Sequence, residues 1–200
     1  MSKIKNLKHI DHTNYVIDHT RYIHYNYVNP NAKVKEYDQT DEDILDNEKF
    51  AYSQIMYNKN PLIYVTTPMM LCPFGLDRKT STMNLQFTNH KTDKIMNSFL
   101  EFIRNIEFQQ MQMIGLDEDN SDLYLSQIRY PKKFDPNLVV KLPFSYNKYN
   151  VDIYNDQFPI SIFNISRFNK MTCDIYIDKM WKFNDRYVCK WKVKKIFVHK

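Results

Sequence analysis

Lysine and aromatic side chains alternate through the carboxyl-terminal stretch of this chain, and that pairing of types has a chemistry. Read as a strand, residues 186–198 send every second side chain the same way. Lys190, Lys192 and Lys194 then share one face, and Tyr187, Cys189, Trp191 and Val193 share the other. A row of ammonium groups is a track for a phosphate backbone, and rings beside it can stack on bases. The competing reading is an amphipathic edge strand whose lysines keep it soluble and block edge-to-edge pairing.

Three further clusters mix the same residue types. Tyr130, Lys132, Lys133 and Phe134 form one. Lys141, Phe144, Tyr146, Lys148 and Tyr149 form another. Trp181, Lys182 and Phe183 are expected at the tip of the final hairpin. Cations neutralise phosphates and rings stack on unpaired bases, so the set suits a single strand. No recognition-helix motif for duplex DNA is visible. Half-burial in a tyrosine-rich protein is the plainer account of each ring.

Covalent chemistry has little to work with. There is no glycine-rich phosphate loop, no Gly-x-Ser-x-Gly elbow and no paired zinc-type cysteine motif. His9 and His12 have a spacing that could hold a metal, but a metal site needs rigid support, and exposed histidines are expected instead. Six acids between Asp38 and Glu48 lack the positional pattern of a calcium loop and read as an acidic surface segment. No catalytic residue, metal site or cofactor is expected.

The charge is uneven. Residues 1–50 carry 7 basic and 9 acidic side chains, residues 51–120 carry 6 and 7, and residues 121–200 carry 15 and 7. The net balance is therefore −2, −1 and +8, and the basic part favours a polyanionic partner. Gly and Ala are nearly absent, at Gly75, Gly115, Ala32 and Ala51, while Asn, Lys, Ile and Tyr abound. That bias suggests A/T-rich coding, which by itself raises lysine and tyrosine. Cys72, Cys173 and Cys189 are odd in number and far apart, and no signal peptide is read, so free thiols in a reducing compartment are expected. No apolar run approaches the length of a membrane span, and no membrane association is expected.

Several short strands and one strong helix must position these residues. Strands are expected within 13–28 and over 62–68, 82–88, 138–142, 151–154, 160–164, 170–181 and 186–198, with a turn at 183–185. The helix begins at Thr92 or Asp93 as cap and runs to about Met113 before Gly115 stops it. Ile95, Met96, Phe99, Leu100, Phe102, Ile103 and Ile106 form its apolar stripe. A second, shorter helix is expected over 121–129.

The order of segments resembles a known family. Thr67, Pro68 and Met69 through Cys72, Pro73, Phe74, Gly75 and Leu76 open the match. The strand at Leu85 to Phe87, the helix ending in Phe99 to Ile106, and the stretch Val139 to Pro143 continue it. A tryptophan hairpin, Ile177 to Trp181 and Tyr187 to Val193, closes it. These motifs resemble the single-stranded-DNA-binding proteins of nucleocytoplasmic large DNA viruses, the giant-virus relatives of the African swine fever virus protein. The resemblance implies a mainly β (α+β) fold: an OB-like five-stranded barrel over residues 51–200 with one main helix (about 92–113) between its third and fourth strands. Residues 1–50 are an N-terminal extension outside the match.

The function so implied is non-catalytic, largely sequence-independent single-stranded DNA binding in viral DNA replication, recombination or repair. The setting would be the cytoplasm of an infected host cell or the virion. Lys132, Lys133, Lys141, Lys148, Lys190, Lys192 and Lys194 would contact phosphates, with Arg78 and Lys79 extending the track. Tyr146, Tyr149, Tyr176 and Trp181 would be the stacking platforms. Viral replication proteins are the expected protein partners, and a homo-oligomer is compatible. The rival readings are an RNA-binding protein of a viral transcription apparatus, a structural or packaging virion protein, and a nuclease using the 38–48 carboxylates with a divalent metal.

Overall fold

A computed structural model describes residues 9–10, 24–28, 50–56, 63–155, 158–177, 179–183 and 186–199. Five strands close on themselves: β1 (Met70–Cys72), β2 (Thr82–Gln86), β3 (Asn137–Lys141), β4 (Asn169–Ile177) and β5 (Trp191–His199). The antiparallel pairs are β1–β2, β2–β3, β4–β5 and β4–β1, and β3–β5 is parallel. Round the barrel the order is therefore β1-β2-β3-β5-β4 and back to β1. A five-stranded Greek-key barrel of this order is OB-like.

Period-2 alternation explains the interior. Met83 and Leu85 of β2, Leu138 and Val140 of β3, and Met171, Cys173, Ile175 and Ile177 of β4 point inward and are buried. On β5, Trp191 and Val193 face in while Lys192 and Lys194 face out. The register against β4 then shifts between Asp174 and Ile175, opposite Val193 and Lys195. Lys194 is the extra residue, and this bulge turns Lys195 outward too, so that Ile196 and Val198 return to the core. The opening strand is broken in a different way. Ile63–Thr66 pairs with β4 ahead of β1, and Pro68 falls in the kink between the two pieces.

The helix α1 (Lys94–Met113) lies between the second and third barrel strands. This corrects the placement between third and fourth. Asp93 caps it, its carboxylate accepting from the Ile95 and Met96 amides at 2.9 and 3.1 Å. Gly115, at φ +75°, ends it, with Gly115 and Leu116 amides returning to the Gln112 and Met111 carbonyls. Met96, Phe99, Leu100, Phe102, Ile103 and Ile106 are buried, whereas Ile95 is exposed and leaves the expected stripe. Rings carry the helix into the barrel: Phe87 meets Phe99 at 5.8 Å, and Phe102 meets Trp191 at 6.4 Å.

Two other expected elements differ. Residues 121–129 hold a 3₁₀ turn (Ser121–Leu123) and a short strand (Ile128–Arg129) instead of a helix. Buried Glu107 on α1 captures this backbone, accepting from Ser126 Oγ and the Gln127 amide at 2.7 Å each. Residues 160–164 form a 3₁₀ turn (Ile162–Asn164) where a strand was expected, with Ser161 accepting from the Phe163 amide. Of the expected strand region 13–28, His24–Val28 is a strand, and 13–23 falls outside the described residues, as do His12, His19 and the acids 38–48. His24–Val28 pairs with Phe50–Met56, which pairs with Lys179–Phe183, and that strand pairs with Arg186–Cys189. A four-stranded sheet thus grows out of the connection between β4 and β5.

Candidate nucleic-acid interface

The loop between β1 and β2, residues 73–81, sets the first part of the surface. Asp77 folds it, accepting from the Lys79 amide at 2.9 Å and from Thr80 Oγ1 at 2.8 Å. The Thr80 hydroxyl first, then the Lys79 amide, hold the Asp77 carboxyl below the usual carboxylate range. Gly75, at φ +70°, lies against the backbone of Ser166 and Arg167, so the loop leans on the segment leading into β4. Arg78 and Lys79 are exposed. The Arg78 guanidinium stacks on the Phe163 ring, 4.5 Å from its centroid.

The end of β3 supplies the second part. Lys141 Nζ donates to the Thr80 carbonyl at 2.5 Å, tying β3 to the loop. Lys141 stands in register with Thr82 on one side and Lys192 on the other. Partial burial, and then the charge of Lys190, pull the Lys141 ammonium below the usual lysine range. Lys190 itself is exposed, in the break between Arg186–Cys189 and β5. Tyr176 of β4 is half-buried on the outer face, in register with Lys192. Three lysines and a tyrosine thus share the region where the β1–β2 loop and the β4–β5 connection meet.

Beyond Lys141 the chain makes a small projecting hairpin, Phe144–Ser145 with Lys148–Tyr149. Its turn residues, Tyr146 and Asn147, have φ of 50° and 59°, as a two-residue type I′ turn requires. The Asn150 amide donates to the Pro143 carbonyl at 2.8 Å and closes the neck. Tyr146 is 96% exposed at the tip. Tyr149 is partly buried and meets Phe144 edge-on at 4.8 Å. Afterwards Asp152–Asn155 takes up the parallel pairing with β5 that β3 left off.

A groove of about 250 Å³ runs between this hairpin and the 3₁₀ turn. Phe144, Tyr149 and Phe163 line it with Ile160, Asn147 and Lys148.

Of the residues singled out in the sequence, Lys141, Lys190, Lys192 and Tyr176 neighbour one another, Lys148 and Tyr149 line the groove with Phe163, and Arg78 lies over that ring, while Lys79 sits in the β1–β2 loop and Tyr146 at the hairpin tip. Lys194 faces outward farther along β5 at the bulge. Trp181 is half-buried mid-strand, in register with Val188, which corrects its expected place at a hairpin tip. Lys132 and Lys133 are exposed but stand apart, at the other end of β2 and β3, where the Phe87 amide bonds the Pro136 carbonyl and the Asn89 amide bonds Asp135. The expectation that they join Lys141 in one channel is corrected by that placement.

Sequence reasoning missed Phe163, an exposed ring that lines the groove, although it had already placed Phe144 in the basic and aromatic cluster. Phe163 was hidden by its neighbours, because Ile160, Ile162 and Phe163 read as a strand. Ser161 followed by Asn164 was the signal for a capped turn instead.

No protein-family profile and no curated protein matches the sequence. Among solved structures, the chain is similar to a single-stranded DNA-binding protein from bacteriophage Enc34 (a C-terminal truncation). The TM-score is 0.45 and the identity 12%, over 74% of this chain and 89% of that one. The fold assignment rests on the closed strand order.

Proposed function

We propose that the protein binds single-stranded DNA without catalysis and with little sequence preference. One observation carries this reading: cations and exposed rings from four separate segments meet where the β1–β2 and β4–β5 connections flank the barrel. Those are the loops through which OB barrels hold oligonucleotides. Arg78, Lys79, Lys141, Lys148, Lys190 and Lys192 would neutralise phosphates, and Tyr146, Tyr149, Phe163 and Tyr176 would receive bases. Lys194 and Trp181 would extend the track along the outer sheet. Viral DNA replication, recombination or repair, in the infected cell's cytoplasm or in the virion, is the setting that the sequence motifs support.

The test is a fluorescence-anisotropy titration of the full chain with labelled oligothymidine at two salt concentrations. Binding at low salt that weakens steeply at high salt is expected. Absence of binding at low salt refutes the proposal. Competition by matched DNA and RNA oligomers distinguishes the DNA reading from an RNA-binding one.

A further inference from the structure

We infer that the groove between the 144–149 hairpin and the 3₁₀ turn is a slot for one nucleobase, turned out of the bound strand and laid against Phe163. The inference rests on the single-strand reading and adds to it a site with a definite occupant.

Phe163 is 60% exposed although its neighbours Ile162 and Ile165 are buried. Its ring is held from two directions. Ser161 fixes the turn that presents it, and Arg78 lies 4.5 Å from its centroid. The opposite wall is a second aromatic surface, the Phe144–Tyr149 edge-on pair. Ile160 adds apolar lining, and Asn147 and Lys148 add polar residues to it.

Each of these parts matches a part of a nucleotide. A base has two flat apolar faces, and the slot offers ring surfaces on both walls. Its edge carries donors and acceptors, and a carboxamide such as that of Asn147 supplies both. Its phosphates are anionic, and Lys148 in the lining and Arg78 over the Phe163 ring bring positive charge to the groove. An aliphatic peptide side chain would use the lining but not the cations. Because a carboxamide can pair with any base edge, the slot distinguishes a base from its absence and tolerates base identity.

Lys141 lies two residues ahead of the hairpin neck, so a strand running over Lys141 and Lys190 arrives beside the slot. The projecting Tyr146 would then mark where the strand leaves.

The experiment uses the full chain, with Phe163→Leu to keep apolar volume and Phe163→Trp to keep the ring. Oligothymidine affinity should drop about 5- to 150-fold in Phe163→Leu and be largely kept in Phe163→Trp. The salt slope should stay at the wild-type value in both, since no cation is lost. An oligomer of the shortest length that binds fully, so that its register cannot slide, scanned with single abasic sites, should show one position whose loss weakens wild-type binding and leaves Phe163→Leu indifferent. If Phe163→Leu binds within twofold of wild type, or the abasic scan is flat, the slot is overturned while single-strand binding stands. If wild type binds no oligomer, both fall together. A concentration-dependent dimer abolished by Phe163→Leu would assign the groove to a second copy and overturn the inference.

Discussion

Replacing Lys190 and Lys192 together by glutamine should flatten the salt dependence of single-strand binding, and replacing Lys132 and Lys133 should not. The first pair belongs to the surface where Lys192 stands in register with Lys141, and where the Lys190 charge is felt at the Lys141 ammonium. The second pair precedes β3 at its other end, and β3 spans Asn137–Lys141. Five residues of strand separate the two ends by about 13 Å, beyond one Debye length at ordinary salt. Each phosphate neutralised on a single strand contributes about 0.7 to the slope of log affinity against log salt. Loss of two contacts should lower the slope by about 1.4, so a fourfold rise in salt costs the variant about sevenfold less affinity than wild type. The assay is oligothymidine anisotropy across a salt series, with circular dichroism to confirm that both doubles fold. Equal slope changes in the two doubles, or a larger change in the Lys132/Lys133 variant, would refute the convergence argument.

Three further outcomes are expected. Gly75→Ala should lower stability by about 1–2 kcal/mol from its positive φ, since the new Cβ would meet the Arg167 amide nitrogen and Ser166 carbonyl carbon at 3.4 Å, an ordinary van der Waals distance. Gly115→Ala, at φ +75° with nothing within 4 Å, should cost a similar amount, and a large difference between the two urea midpoints would refute the conformational account. Burial raises the Glu107 carboxyl above its ordinary value, so its folded state holds a proton that the unfolded chain releases. The stability this confers is present below the ordinary carboxyl range and lost as pH rises through the folded value. Glu107→Gln should remove that fall in urea titrations at acid and neutral pH, and an unchanged pH profile would count against the assignment. In Trp181→Phe, the remaining Trp191 is 1% exposed, so its emission should be unmoved by oligothymidine or by acrylamide.

Local signals were readable in the sequence wherever neighbouring residues decide the structure. The cap at Asp93, the stripe from Met96 to Ile106 and the stop at Gly115 are short-range, and α1 follows them. The alternation of Met83 and Leu85 likewise marks β2. What local pattern cannot carry is pairing. Residues 121–129 have helical spacing, but Glu107 and the Tyr187 carbonyl capture their backbone from distant segments. The bulge at Lys194 depends on the register against β4, so alternation followed from Lys190 places Lys195 on the wrong face. The basic cluster was legible as a list of residue types. Its split, with Lys132 and Lys133 at one end of β3 and Lys141 at the other, follows from the strand's length and direction. Phe163 escaped because a capped turn and a short strand share the same apolar spacing.

The way the third barrel strand is interrupted has a consequence for how this protein can change. The chain departs at Pro143, closes its neck at Asn150, and resumes beside β5 with Asp152–Asn155. Residues 143–150 are spliced into the barrel wall as a detachable finger whose ends already meet. Lengthening, shortening or exchanging that finger leaves every rung of the barrel intact, so grip on a ligand can be retuned while the scaffold's stability is conserved.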